Sequence, residues 1–175
     1  MKFFLKNIYI ILFSLLAVLF STYALAKNNE AHYNKQNISN YFLGIVSVNN
    51  ASDEKVFNYL NKVQLLKDKH TKFNIEFLRN LILLEKFDEA VSFSKKIWKE
   101  DELFFEADLI LGLDFFIKKD YKNSKKHFQR LNKISRYNLF FQDFIGNVLL
   151  SWNEASQKNQ EESIEFLNKV PKPYR

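Results

Sequence analysis

The sequence predicts an all-α protein, an array of about four helical hairpins. Three observations point there. The chain has three glycines, and they share one phase of a 34-residue period: Gly44 to Gly112 is two periods and Gly112 to Gly146 is one. Neighbouring positions keep that phase. Leu43, Phe77, Leu111 and Ile145 precede the slot, Val56, Ala90 and Ser124 lie twelve residues after it, and Leu60, Ser94 and Phe128 sixteen after it. From Ile38 onward apolar residues recur at helical spacing. With two prolines and three glycines in 175 residues, turns are few and short.

The first hairpin is expected over 38–48 and 53–66, with Asn50 or Ser52 as N-cap. The second is expected over 72–84 and 87–99. The third is expected over 103–117 and 121–135, capped by Asp120. The fourth is expected over 138–152 and 161–170, ended by Pro171 and Pro173, with 171–175 left as a stub. Asp53-Glu54, Asp88-Glu89 and Glu161-Glu162 all fall in the first turn of a second helix. Negative charge is stabilised there by the helix dipole, which explains these pairs without acid–base chemistry.

These residues resemble the tetratricopeptide repeat, whose pattern is W-x2-L-G-x2-Y, then A-x3-F, then P. The third unit reads Asp108-x2-Leu111-Gly112-x2-Phe115, then Ser124-x3-Phe128. The fourth reads Gln142-x2-Ile145-Gly146-x2-Leu149, and the first Asn40-x2-Leu43-Gly44, then Val56-x3-Leu60. The second has Leu78 in the glycine slot, yet its Phe87-Asp88-Glu89-Ala90 resembles the opening of the family's second helix. No unit keeps the tryptophan or the late proline, and the fourth carries about five extra residues between Trp152 and Ile164. The resemblance spans 38–170 and implies a superhelical solenoid with a binding groove. Gly44, Gly112, Gly146, Ala90, Ser124 and Phe128 become the packing positions between helices. The leader and degenerate repeats together resemble exported tetratricopeptide proteins of alphaproteobacteria.

Residues 1–26 read as a secretory signal peptide. Lys2 and Lys6 make a charged n-region, 8–20 is an apolar run, and Ala24-Leu25-Ala26 is a small-x-small cleavage site. Residues 27–37 are polar and read as a linker. The expected location is the periplasm or cell envelope. The alternative is an uncleaved N-terminal anchor, since apolar character reaches almost spanning length.

Chemistry is sparse. The absence of cysteine excludes a disulfide framework, a thiolate metal site, a cysteine nucleophile and a lipidated N-terminus. Three glycines cannot build a phosphate loop, and no serine sits in G-x-S-x-G. His32, His70 and His127 share no ligand spacing and read as separate surface or boundary residues. No enzyme, cofactor or metal is therefore expected.

Two surfaces remain. The outward slots of the first helices should line the groove: Tyr41, Ile45 and Val48; Ile75, Arg79 and Ile82; Leu109, Leu113 and Phe116; Asp143, Asn147 and Leu150. They are mostly apolar and lack the family's lysine and asparagine carboxylate clamp, so they suit an amphipathic helix or an apolar peptide. Lys122, Lys126, Arg130 and Lys133 form a basic stripe, either a solvated face or a contact for an anionic membrane surface. The expected function is a non-enzymatic protein–protein interaction scaffold of the envelope, with no nucleic acid. The alternative is a membrane-associated protein using the anchor and the basic helix. Phe140, Phe144, Val148 and Trp152 on the last hairpin leave apolar surface, expected to meet a second copy through the C-terminal end, a partner protein, or further repeats of a longer parent.

Overall fold

In the computed structural model the described residues are 33–67, 69–134 and 144–170, and they hold helices and short turns only. The helices are α1 (Lys35–Ser47), α2 (Asp53–Leu60), α3 (Thr71–Leu83), α4 (Phe87–Ile97), α5 (Phe105–Ile117), α6 (Tyr121–Leu131), α7 (Ile145–Ser156) and α8 (Gln160–Lys169). A 3₁₀ segment, Asn61–Leu66, continues α2. Residues 1–26, expected to be a signal peptide, residues 27–32 of the expected linker, His32 among them, Phe140, Gln142, Asp143 and the stub 171–175 lie outside the described residues.

The helix expected over 53–66 is broken at Val63, whose backbone (φ −122°, ψ 27°) leaves the α-helical region. Each helix packs on the next, and α3 also touches α1 and α5. Residues Lys35–Arg175 form one compact unit. The helices are amphipathic for the expected reason. In α6, Ser124, His127, Phe128 and Leu131 fall on one buried face, and the Asp120 side chain accepts from the Asn123 amide at 3.2 Å as its cap.

The turns are made without glycine. Glu85, Lys119 and Lys158 follow α3, α5 and α7 with φ of 57°, 62° and 66°. At each, two hydrogen bonds close the helix end: Glu85 N to Ile82 O and Lys86 N to Leu81 O, for example, at 3.0 and 2.8 Å. This is the left-handed C-terminal cap that usually selects glycine. Three L-residues hold it here, each at a backbone cost of about 1 kcal/mol.

These turns expose a change of register. Glu85 to Lys119 is 34 residues, but Lys119 to Lys158 is 39. Helix starts agree: Tyr121 to Gln160 is also 39. The five extra residues therefore precede α7 and do not lie between Trp152 and Ile164. Gly112 is the eighth residue of α5, but Gly146 is the second of α7. In the helix register the slot of Gly44, Leu78 and Gly112 passes to Ser151, whose hydroxyl lies 2.9 Å from that of Ser163. Gly146 takes the place of Ala107. It is small for another reason: a Cβ there would lie 2.7 Å from Cγ of Asn132, the residue that ends α6.

Ala90, Ser124 and Phe128 are buried. A Cβ on Gly44 would lie 2.8 Å from Leu60 Cγ, and one on Gly112 would lie 2.5 Å from Phe128 Cε1. In the second hairpin the volumes are exchanged. Leu78 fills the slot, and the position sixteen residues on holds Ser94 where its equivalents are Leu60 and Phe128. Phe73, Phe77 and Phe93 fill the centre of that half, with ring centroids 4.9–6.2 Å apart.

Candidate functional site

A hollow of about 380 Å³ lies between α3 and α5. From α3 it takes Leu78, Arg79, Ile82 and Leu83, and from α5 it takes Phe105, Glu106, Leu109 and Ile110. Its walls are carbon apart from Arg79 and Glu106, which pair across the two helices at 3.4 Å. A smaller hollow of about 120 Å³ shares Arg79 and Leu83 and extends to Val48 at the end of α1. A strip thus runs from Val48 to Leu109, apolar between α3 and α5 and mixed at its Val48 end, where Asp53, Glu76 and Asn80 also line it. It can take up hydrocarbon side chains, with one charged pair to orient a polar group.

The strip brings together four of the expected groove residues, Val48, Arg79, Ile82 and Leu109. Tyr41, Ile45 and Ile75 are half-buried on the same helices, with the Tyr41 ring 5.3 Å from that of His70. Leu113 and Phe116 are half-buried against the core formed by Phe128, Leu131, Leu149 and Leu150. Asn147 and Leu150 are buried and do not face a groove. The cause is the register: counted 39 residues on from Leu109, Leu113 and Phe116, the equivalent positions are Val148, Trp152 and Ala155. Trp152 and Ala155 are exposed, and Val148 is half-buried. Leu83, Phe105 and Ile110 were not among the expected residues. Leu83 and Ile110 stand one position after the slots Ile82 and Leu109, and Phe105 stands one helical turn before Leu109.

The basic stripe is not a free face. Arg130 is buried and turned inward. Its Nε donates to both oxygens of Asp108, at 2.9 and 3.1 Å, and its remaining nitrogens donate to the carbonyls of Lys99, Glu100 and Glu102. Lys126 pairs with Glu100 at 2.6 Å and lies 5.2 Å from the Trp98 ring. Its hydrogen bond holds the Glu100 carboxyl below the usual value. Next to the stripe, Lys125 pairs with the buried Glu154 at 2.6 Å. Lys122 and Lys133 are exposed. Lys125, Lys126 and Arg130 thus tie α6 to α7, to the connection 98–104 and to α5.

Asp108 is the centre of this joint. Beside Arg130 it accepts from Trp98 Nε1 at 2.9 Å, and His127 Nδ1 lies 2.8 Å away. His127 is therefore a buried partner and not a surface residue. A buried carboxylate is tolerable only when paired and hydrogen-bonded in this way. Asp108 also stands where the resembled family has its tryptophan. In the helix register the same position holds Asn40, Asn74, Asp108 and Asn147, all buried. Asn74 donates to the Lys67 carbonyl at 2.8 Å, Asp108 accepts from Trp98, and Asn147 accepts from Asn132 at 3.1 Å. Lys67, Trp98 and Asn132 each end the preceding helical segment. One polar clasp thus ties α3, α5 and α7 each to the hairpin before it. The recurring Asn/Asp was its signal in the sequence.

Among the described residues no helix is long and apolar enough to cross a membrane, and no group of three or more His, Asp or Glu side chains could hold a metal ion. No protein-family model matches this chain, and no curated protein is significantly similar to it.

Proposed function

We propose that this chain is a tetratricopeptide-like solenoid of four hairpins. We infer that it serves as a non-enzymatic interaction scaffold in the cell envelope and binds an amphipathic helix or an apolar peptide along its first helices. The observation that carries this reading is the strip from Val48 to Leu109. Between α3 and α5 its walls are hydrocarbon apart from Arg79 and Glu106, and it is open to solvent at Leu83 and Ile82. Hydrophobic contact is the interaction such a surface offers, at roughly 25 cal/mol per Å² removed from water. The Arg79–Glu106 pair at its edge supplies orientation. The leader at 1–26 and its small-x-small site support export. The inward turn of Arg130 and the pairing of Lys125 and Lys126 favour this reading over a lipid-binding basic helix.

A photo-crosslinking side chain placed at Ile82 in the full-length protein, in living cells, tests the proposal. A discrete adduct is expected from position 82 and not from position 122 on α6. Leu83→Asp should abolish the adduct while leaving the helical signal intact. An adduct from 122 alone would reverse the assignment of faces.

A further inference from the structure

Every internal junction between hairpins is built alike, and half of one is bare at each end. In the helix register Leu43 on α1 corresponds to Phe77, Leu111 and Leu150, all buried. Phe42 corresponds to Glu76, Ile110 and Leu149, and Val46 to Asn80, Asp114 and Asn153. Of these, Phe77, Asn80, Asp114, Leu149, Leu150 and Asn153 meet the second helix of the preceding hairpin, whereas Ile110 lines the hollow between α3 and α5. Phe77 stacks on Phe57 of α2 with centroids 6.0 Å apart. Asn80 donates to the Asp53 carbonyl of α2, and Asn153 to the Tyr121 carbonyl of α6, both at 3.0 Å. On α1 the same face is open: Phe42 is 60%, Val46 64% and Leu43 44% exposed.

The complementary half lies on α8. Leu167 corresponds to Leu60, Ser94 and Phe128, which are fully buried, yet it is 44% exposed. Ile164 corresponds to Phe57, Val91 and Lys125 and is 51% exposed. Ile164 thus holds the place of Phe57, and Leu43 the place of its partner Phe77. A hairpin array that ends in solvent shows a polar outer face. Here the opposite holds: Phe42 and Val46 are apolar where the second hairpin has Glu76 and Asn80.

We propose that the occupant of both faces is a second copy of this chain. The α1 face of one copy docks on α8 of the next, so that the hairpin stacking continues head to tail. This rests on the repeat-array reading above. The contact is heterologous, so each copy keeps one unsatisfied face, and association proceeds to an open chain unless the rotation closes a ring. Its recognition chemistry is apolar surface in hairpin register, and the strip between α3 and α5 is left free for the partner.

Sedimentation velocity of the full-length protein over a concentration series tests this, with Leu43→Glu and Leu167→Glu as one-ended variants. Both positions are partly exposed, and circular dichroism checks that each variant is folded; Phe42→Glu and Ile164→Lys replace either one that is not. The wild type should grow in size with concentration, and each variant alone should remain a monomer. Mixing the two should give a one-to-one dimer and nothing larger, because the mixture holds one intact face of each kind. A wild type that stays monomeric overturns the proposal. So does a single variant that still dimerises, because that contact would join like faces. A crosslink from Ile82 in an end-disrupted monomer would keep the groove reading intact even if head-to-tail assembly fails.

Discussion

Gly112 and Phe128 share one space: a Cβ on Gly112 would lie 2.5 Å from the Phe128 ring, and sixteen residues separate them. The second hairpin fills the same space the other way round, with Leu78 and Ser94. Gly112→Leu should therefore overpack the α5–α6 contact and cost about 1–3 kcal/mol. Adding Phe128→Ser should recover part of that loss, although Phe128→Ser alone is destabilising. Urea midpoints of the four proteins give the coupling. Independent, additive losses would show that the two positions do not exchange volume.

Asp108 and Arg130 hold α5, α6 and the connection 98–104 together. Asp108→Ala leaves the guanidinium buried beside its three carbonyls but without a counter-charge. The expected loss is about 3–5 kcal/mol, against about 0.5 kcal/mol or less for Asp101→Ala on the surface. Equilibrium unfolding measures both, and similar small effects would demote the network to decoration.

Lys119 and Lys158 hold left-handed backbones that glycine adopts freely. Lys119→Gly should raise stability by about 0.5–1 kcal/mol, the left-handed penalty less glycine's added chain entropy. Lys122→Gly, inside α6, should lower it by a similar amount. A melting temperature that falls for Lys119→Gly would contradict the described turn.

The Lys125–Glu154 pair makes stability depend on pH at both extremes. For Glu154, burial pushes the carboxyl up, but hydrogen bonds from Asn159 and Lys125 outweigh it and hold the group below 4.5. For Lys125, the hydrogen bond to Glu154 outweighs burial and holds the ammonium above 10.5. The lowered carboxylate stabilises the fold above its unfolded value and loses that contribution as pH falls below 4.5. The raised lysine stabilises below 10.5 and loses its contribution as pH rises further. The stability gap between wild type and Glu154→Gln should therefore be flat between these limits and close at acid pH. A gap that persists unchanged in acid would remove Glu154 from the pair.

The hairpins were legible because small residues and apolar positions repeat every 34 residues up to Phe128. The fourth hairpin was misread for one reason: Gly146 happens to continue the glycine phase although five residues have been inserted before α7. Two quieter signals carried the true spacing. Ser124 and Ser163 are 39 apart, as are Asp108 and Asn147, and each pair holds one buried role. The polar clasp was hidden by composition, since asparagine is common in this chain and a buried one resembles a surface one in the sequence. Arg130 was misplaced because a helical stripe counts residues on one element, while the Asp108 that draws it inward sits on another.

The chain has no cysteine, so occupancy of the strip can be read from single introduced thiols. Single cysteines placed at Ile82, Leu150, Trp152 and Lys122 can be tested with a small permeant maleimide, in cells and in the purified protein. If the strip binds a partner, labelling at position 82 should be slower in cells than in purified protein, with no change at 122. Trp152→Cys should label readily in purified protein, and Leu150→Cys should not, as the 39-residue register requires. Equal rates at 82 in cells and in purified protein would contradict the account.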